Sequence, residues 1–285
     1  MDIVDQSLIG KVFTVPYIDH MISENSVPDS FLRCVSRYVK SDHRTFGKAI
    51  SEIYEYMSSD YRNEYYYKNT LFNELLIRKH DLYTTAALTE LPIADSKADF
   101  IMINGKGIVY EIKTDLDNLY RLKNQINDYY KVFSYVNVVV SKRQSGKVKE
   151  FLNESKVGMY ELTEHGNLVC RKQAMCSRSN LSYEAMFQVL RKAEFEEILL
   201  QQYGKLPQVN NFEYYQECLK WIKEINILTL QKKVMSCLKQ RTVLVVNNLF
   251  EDNVPYELRF YAYFSKKYRS NYEEIDKFLN KEVGV

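Results

Sequence analysis

The sequence predicts an α/β protein: a mixed sheet flanked by helices, set between N-terminal and C-terminal helical regions. Three observations carry this. Hydrophobic spacing is helical at both ends of the chain and switches to alternation over residues 84–113. Gly (9) and Pro (5) are scarce among 285 residues, which suits long helices and few turns. The apolar run VNVVVS at 136–141 follows a helical segment, as does a strand buried on both faces in a parallel pairing.

Composition narrows the class further. With 46% apolar residues the chain can bury a core, so disorder and low-complexity readings fail. The net charge of +2 selects no partner by itself. The cysteines, Cys34, Cys170, Cys176, Cys218 and Cys237, are odd in number and widely spaced, with no paired motif, which argues against a disulfide framework and a zinc site. No apolar run reaches the length of a membrane helix or a secretory h-region, so the expected location is cytoplasmic. No phosphate-binding Gly-rich loop and no Ser or Cys triad pattern is present.

Residues 1–58 read as an N-terminal helical segment, with Phe31, Cys34, Val35 and Tyr38, then Phe46, Ile50, Ile53 and Met57, at helical spacing. From Ser59 the stretch DYRNEYYYKNTLFNELLIRKH contains neither Gly nor Pro and predicts one long helix, with Leu71, Leu75 and Leu76 inward. Three strands follow, TTAALTELPI, ADFIMI and GIVYEIKT, the last two joined by the hairpin signal NGKG. The next helix is predicted from Thr114 and Asp115 as N-caps, with Leu119, Leu122, Ile126, Tyr130 and Phe133 on one stripe. After VNVVVS come a short helix (SGKVKEFLNES), the strand VGMYEL, a turn at His165 and Gly166, and the strand NLVCRK. Beyond about Ser179 the pattern is helical again, punctuated by Pro207 and Pro255. The chain therefore reads as a helical segment (1–58), an α/β core (59–175) and a C-terminal helical region (176–285).

The residues that suggest chemistry lie between Ser96 and Lys113. Strand alternation places Glu111 and Lys113 on one face of GIVYEIKT. Asp99 joins that face if the hairpin sets Ile103 opposite Gly107; a two-residue Asn-Gly turn would instead set Asp99 opposite Tyr110 unless a bulge intervened. Converging carboxylates repel, and a hard divalent cation such as Mg²⁺ or Mn²⁺ relieves the repulsion. A lysine beside them can orient a water or offset charge on a phosphate. The plainer reading of the pair is a salt bridge on an exposed face.

With Gln125 and Tyr129 on the following helix, this order of motifs resembles the PD-(D/E)XK nuclease superfamily, most closely its RecB-like branch. The resemblance implies a restriction-endonuclease-like α/β/α core and a Mg²⁺-dependent nuclease, Mn²⁺ substituting, that hydrolyses phosphodiester bonds, with DNA the foremost substrate. It implies Asp99 and Glu111 as metal ligands, Lys113 as the catalytic lysine, and Gln125 and Tyr129 as supports. The family's helical carboxylate falls on Glu64 in preference to Glu74, and Glu90 is a further carboxylate nearby. Ala98 stands where the motif has proline. Arg121, Lys123, Lys131, Lys142 and Arg143, in a stretch whose single acid is Asp128, are candidate phosphate-backbone contacts. The C-terminal helices are a candidate surface for a protein partner, in keeping with a role in a defence or mobile-element system. The alternative is a non-catalytic nucleic-acid- or protein-binding module on the same fold.

Overall fold

The computed structural model describes residues 3–24, 27–42, 44–80, 82–242, 250, 253–269 and 271–284. The α/β expectation holds: a six-stranded mixed sheet is flanked by helices, with helical regions before and after it. By contact, the chain divides into two units. One comprises 1–83, 164–168 and 244–285, the other 84–163 and 169–243. No described helix is long and apolar enough to cross a membrane. None of the five cysteines forms a disulfide.

The first unit contains helices α1 (Ile3–Val12), α2 (Val15–Glu24), α3 (Asp29–Tyr38), α4 (Phe46–Asp60) and α5 (Glu64–Leu71) from the N-terminal part of the chain. The single long helix expected from Ser59 onward is divided. Helix α4 runs through Asp60, and Asn63 starts α5 by accepting a hydrogen bond from the Tyr66 amide at 3.1 Å, which favours a new helix start over continuation. Helix α5 then widens into a π-helical turn, Phe72–Ile77. There the Asn73 amide donates to the Asn69 carbonyl (2.9 Å), and the Arg78 N–H reaches back five residues to the Asn73 carbonyl (3.0 Å). Phe72 packs against Phe260, Tyr263 and Phe264, residues of a later helix, Arg259–Phe264. Buried Asn69 is satisfied on both sides, donating to Tyr54 (2.9 Å) and accepting from the Phe260 N–H (3.1 Å).

The second unit is built on the sheet, in spatial order β1 (Ala86–Ile93), β2 (Ser96–Asn104), β3 (Lys106–Lys113), β4 (Tyr135–Ser141), β5 (Gly158–Leu162) and β6 (Leu168–Lys172). Strands β1 to β3 form an antiparallel meander, and β3, β4 and β5 run parallel, as the uninterrupted apolar β4 predicts. The β2–β3 register sets Ile103 opposite Gly107 and Phe100 opposite Tyr110, so the wider hairpin of the two considered is the one formed. Gly105, at φ 68°, makes the tip, a torsion that glycine takes without steric cost.

Helix α6 (Leu122–Tyr129) begins seven residues later than Asp115, the later of its two expected caps. Thr114 does not cap it; its N–H and hydroxyl both donate to the Asp117 carboxylate, at 2.8 and 2.7 Å, and close a separate turn. Helix α7 (Lys142–Phe151) is capped by Ser141, and α8 (Tyr183–Gln188), α9 (Lys192–Tyr203), α10 (Asn211–Lys223) and α11 (Ile227–Gln240) complete the unit. One sheet face, with Ile101, Ile103, Val109, Val138 and Val140, shares a continuous apolar core with residues of α6, α7 and α11. Helix α11 approaches closely at Gly107, where an added Cβ would lie 2.4 Å from Met235 Sδ. A side chain there would have to displace Met235 and the Phe133 ring, whose nearest atom would lie at 2.7 Å.

Candidate active site

The register carries Asp99 to the place opposite Glu111, and the two flank the end of the β2–β3 ladder. An Asp99 carboxylate oxygen accepts the Ile112 backbone N–H at 2.7 Å, which fixes the side chain against β3. Asp99 is half-buried, whereas Glu111 is 1% and Lys113 7% exposed. The simple surface salt bridge is therefore not what forms. Glu111 and Lys113 make a buried ion pair with Nζ–Oε1 at 2.8 Å.

A charged pair withdrawn from water must have its remaining hydrogen-bonding capacity met. Helix α6 meets it. Gln125 Oε1 accepts from Lys113 Nζ at 2.9 Å, and the Tyr129 hydroxyl donates to Glu111 Oε2 at 2.5 Å. Residues four apart on a helix share a face, so one turn of α6 supplies both partners. The same tyrosine hydroxyl lies 3.0 Å from the Lys97 carbonyl, tying α6 to β2 as well. Burial raises the Tyr129 pKa, and the charge of Glu111 beside it raises it further, so this hydroxyl keeps its proton. The chain Gln125–Lys113–Glu111–Tyr129 is thus a continuous network on two elements, buried except at Gln125, which is half-buried.

Glu90 was a marginal candidate in the sequence, and in the sheet it has a defined position. The β1–β2 ladder pairs Thr89 with Phe100 and Leu91 with Ala98, passing over Glu90 and Asp99, which face each other between those pairs. Glu90 has φ 58°, in the left-handed region that residues with a side chain avoid. Thr89 Oγ1 donates to the Asp99 carbonyl at 2.7 Å at the same interruption. Carboxylate oxygens of Glu90 and Asp99 lie within 4.8 Å of each other, and Glu90 is also ion-paired with Lys97. The sequence signal that would have found Glu90 is the short connection between Ile93 and Ser96, which are themselves paired.

Glu64 belongs to the first unit, in the first turn of α5, where it pairs with Lys68 at 2.6 Å. Glu74, its competitor, lies in the π-helical turn and pairs with Arg78 at 2.9 Å. Of the expected phosphate contacts, Lys131 is bound to Asp128 (2.7 Å), Lys142 lies 3.8 Å from Glu161, and Arg143 lies 3.3 Å from Asp115. Arg121 and Lys123 are exposed on or beside α6. Arg121 borders a cavity of about 260 Å³ that Gln125, Asn124 and Asn127 also line.

Fold and site together define an α/β protein whose meander and first parallel strand present a row of carboxylates beside a buried Glu–Lys pair. The chain belongs to the family described as Bacteriophage P4 protein cII, whose model matches residues 57–254. It is 27% identical over 175 residues to protein cII of Enterobacteria phage P4, a match covering 59% of this chain and 64% of that relative's length. Among solved structures, it is similar to Pyrococcus furiosus SfsA in complex with Ca²⁺, at 15% identity and a TM-score of 0.25, covering 38% of this chain and 61% of that one.

Proposed function

We propose that this protein is a metal-dependent nuclease that hydrolyses phosphodiester bonds, DNA being the first substrate to test. The observation that carries the reading is the buried array in which Lys113 is held between Glu111 and Gln125 while Asp99 lies alongside on the neighbouring strand. A lysine buried with a carboxylate is costly to desolvate and is an expensive way to stabilise a sheet. Its retention is accounted for when its ammonium serves a reacting phosphate.

The donor set fits a hard divalent cation. Asp99 and Glu111 offer carboxylate oxygen, Glu90 brings another within 4.8 Å of Asp99, and no soft ligand is among them. Asp99 and Glu111 would hold Mg²⁺ or Mn²⁺, with Glu64 the additional ligand that the family resemblance implies. When bound, the ion would supply Lewis-acid polarisation of a phosphoryl oxygen and lower the pKa of a water.

The protein's own groups divide the remaining work. Lys113 directs its ammonium by bonds to Glu111 and Gln125, so its unused N–H is aimed and available to a phosphate oxygen. Tyr129 donates to the Glu111 oxygen that Lys113 does not engage, and thereby holds that carboxylate in one rotamer. Gln125 is a positioning residue for Lys113. Arg121 and Lys123 are the proposed backbone contacts nearest to this array along the chain, and Lys131, Lys142 and Arg143 would have to exchange their carboxylate partners for phosphate. A cytoplasmic setting, a protein partner for the C-terminal helices and a role in defence or in a mobile element belong to the same proposal.

The test is cleavage of supercoiled, linear and single-stranded DNA and of structured RNA by the full chain, with Mg²⁺, Mn²⁺ or EDTA, beside Lys113→Met. Cleavage that needs both metal and Lys113 supports the reading and names the substrate. Metal-independent binding of the same nucleic acids without cleavage would favour a binding module on this fold.

A further inference from the structure

We propose a second, phosphate-binding site at the other end of strand β3, formed by Lys106, Arg178 and Lys232. These three cations line one cavity of about 260 Å³, and no carboxylate lines it with them. None of the three forms a salt bridge with a carboxylate among the described residues. The more buried cations Lys68, Lys113 and Arg241, by contrast, all have acidic partners. Three like charges drawn around one concavity repel one another, and an anion inside it relieves that repulsion.

The cavity is built on rigid parts. At Gly107, one of its lining residues, the sheet is crowded by the side chains of Met235 from α11 and of Phe133. Gln231 of α11 donates to the Val132 carbonyl (2.8 Å) and to Ser134 Oγ (3.0 Å), fastening the helix to the approach to β4. Lys106 Nζ lies 4.5 Å from the centroid of the Tyr135 ring, an attraction that limits the wandering of an exposed lysine. A volume of about 260 Å³ accommodates a phosphate or diphosphate group and is small for an entire nucleotide. Lysine and arginine with a hydroxyl-bearing side chain, Ser134, are the groups that bind phosphate esters. Gly107 and Glu111 are four residues apart on β3, so about 13 Å of strand separates this cavity from the Glu111–Lys113 array. The inference does not rest on the hydrolytic reading.

The test is calorimetric titration of the full chain with inorganic pyrophosphate at low salt and in EDTA, which removes any contribution from a bound divalent metal. The wild-type chain is expected to bind pyrophosphate saturably. The triple variant Lys106→Gln, Arg178→Gln, Lys232→Gln, altered only at exposed side chains, is expected to bind it at least about tenfold more weakly with an unchanged melting temperature. The double variant Glu111→Gln, Lys113→Met, which leaves no unpaired buried charge, is expected to bind it as the wild type does, so loss of cleavage and loss of this site are read separately. Displacement of pyrophosphate by short oligodeoxythymidylate identifies a nucleic-acid strand as the source of the phosphate; pyrophosphate binding that the oligonucleotide leaves untouched identifies a small phosphorylated compound. Absence of saturable binding, or equal affinity in the triple variant, overturns the proposal.

Discussion

Glu90 faces Asp99 across the β1–β2 ladder with a backbone torsion, φ 58°, that glycine would adopt far more readily. The pairing is regular on both sides of the two residues, so no inserted residue accounts for the distortion. Ala94, in the turn that follows, is also left-handed at φ 51°, but Glu90 lies within the ladder itself, and strain beside a candidate metal ligand is the pattern expected where local stability has been given up for placement of a side chain.

Glu90→Gly should therefore leave stability unchanged or raise it by about 1 kcal/mol, since the left-handed torsion becomes permitted and the ion pair lost with Lys97 is half-exposed. The same variant should bind Mn²⁺ more weakly. Urea unfolding and Mn²⁺ titration followed by electron paramagnetic resonance measure the two effects, and a large destabilisation would show that Glu90 is structural.

Removing one member of the Glu111–Lys113 pair leaves the other charged and buried. Glu111→Gln and Lys113→Met should each cost roughly 3–5 kcal/mol, while the double variant should recover a substantial part of that loss. The double variant is then the clean activity control, because it folds and lacks the catalytic groups. Additive losses in denaturant titrations would contradict the coupling.

Asp99→Asn keeps an oxygen able to accept the Ile112 N–H and removes the charge. It should preserve the hairpin, lower Mg²⁺ affinity by at least about tenfold and shift the Mg²⁺ optimum of cleavage upward. An unaltered metal dependence would take Asp99 out of the ligand set.

Stability should fall on the alkaline side. Burial raises the pKa values of Tyr54, Tyr65 and Tyr129 in the folded chain, so above pH 10 these phenols ionise in the unfolded chain while they remain protonated in the folded one. The folded state then binds more protons, and its stability drops by about 1.4 kcal/mol per pH unit for each such tyrosine. Their contribution is fully present below pH 10 and is lost as pH rises towards the folded-state values. Tyr129→Phe should flatten the slope by one tyrosine and also cost about 1.5–3 kcal/mol at neutral pH through the bond lost to Glu111. Equilibrium unfolding across pH 9 to 11 checks both, with those limits chosen roughly around the usual phenol range.

What the sequence by itself determined was the succession of strands and helices in the second unit and the set Asp99, Glu111, Lys113, Gln125 and Tyr129. The first follows from local regularities; the second was singled out by the resemblance to a nuclease superfamily, and local regularities bring its members together. Alternation puts Glu111 beside Lys113, a four-residue interval puts Gln125 beside Tyr129, and the hairpin tip at Gly105 selects the register that brings Asp99 to them. The helix starts at Asn63 and Leu122 were not legible in the same way, because apolar spacing continues across them and the outcome is decided by individual side-chain bonds from Asn63 and Asp117. Only the tertiary structure decided that the Glu–Lys pair is buried, that Glu90 is held at a strained torsion opposite Asp99, and that three cations spread over more than a hundred residues of chain line one cavity. Those relations depend on which surfaces pack together, and burial is a property of the assembled chain that no short window of sequence contains.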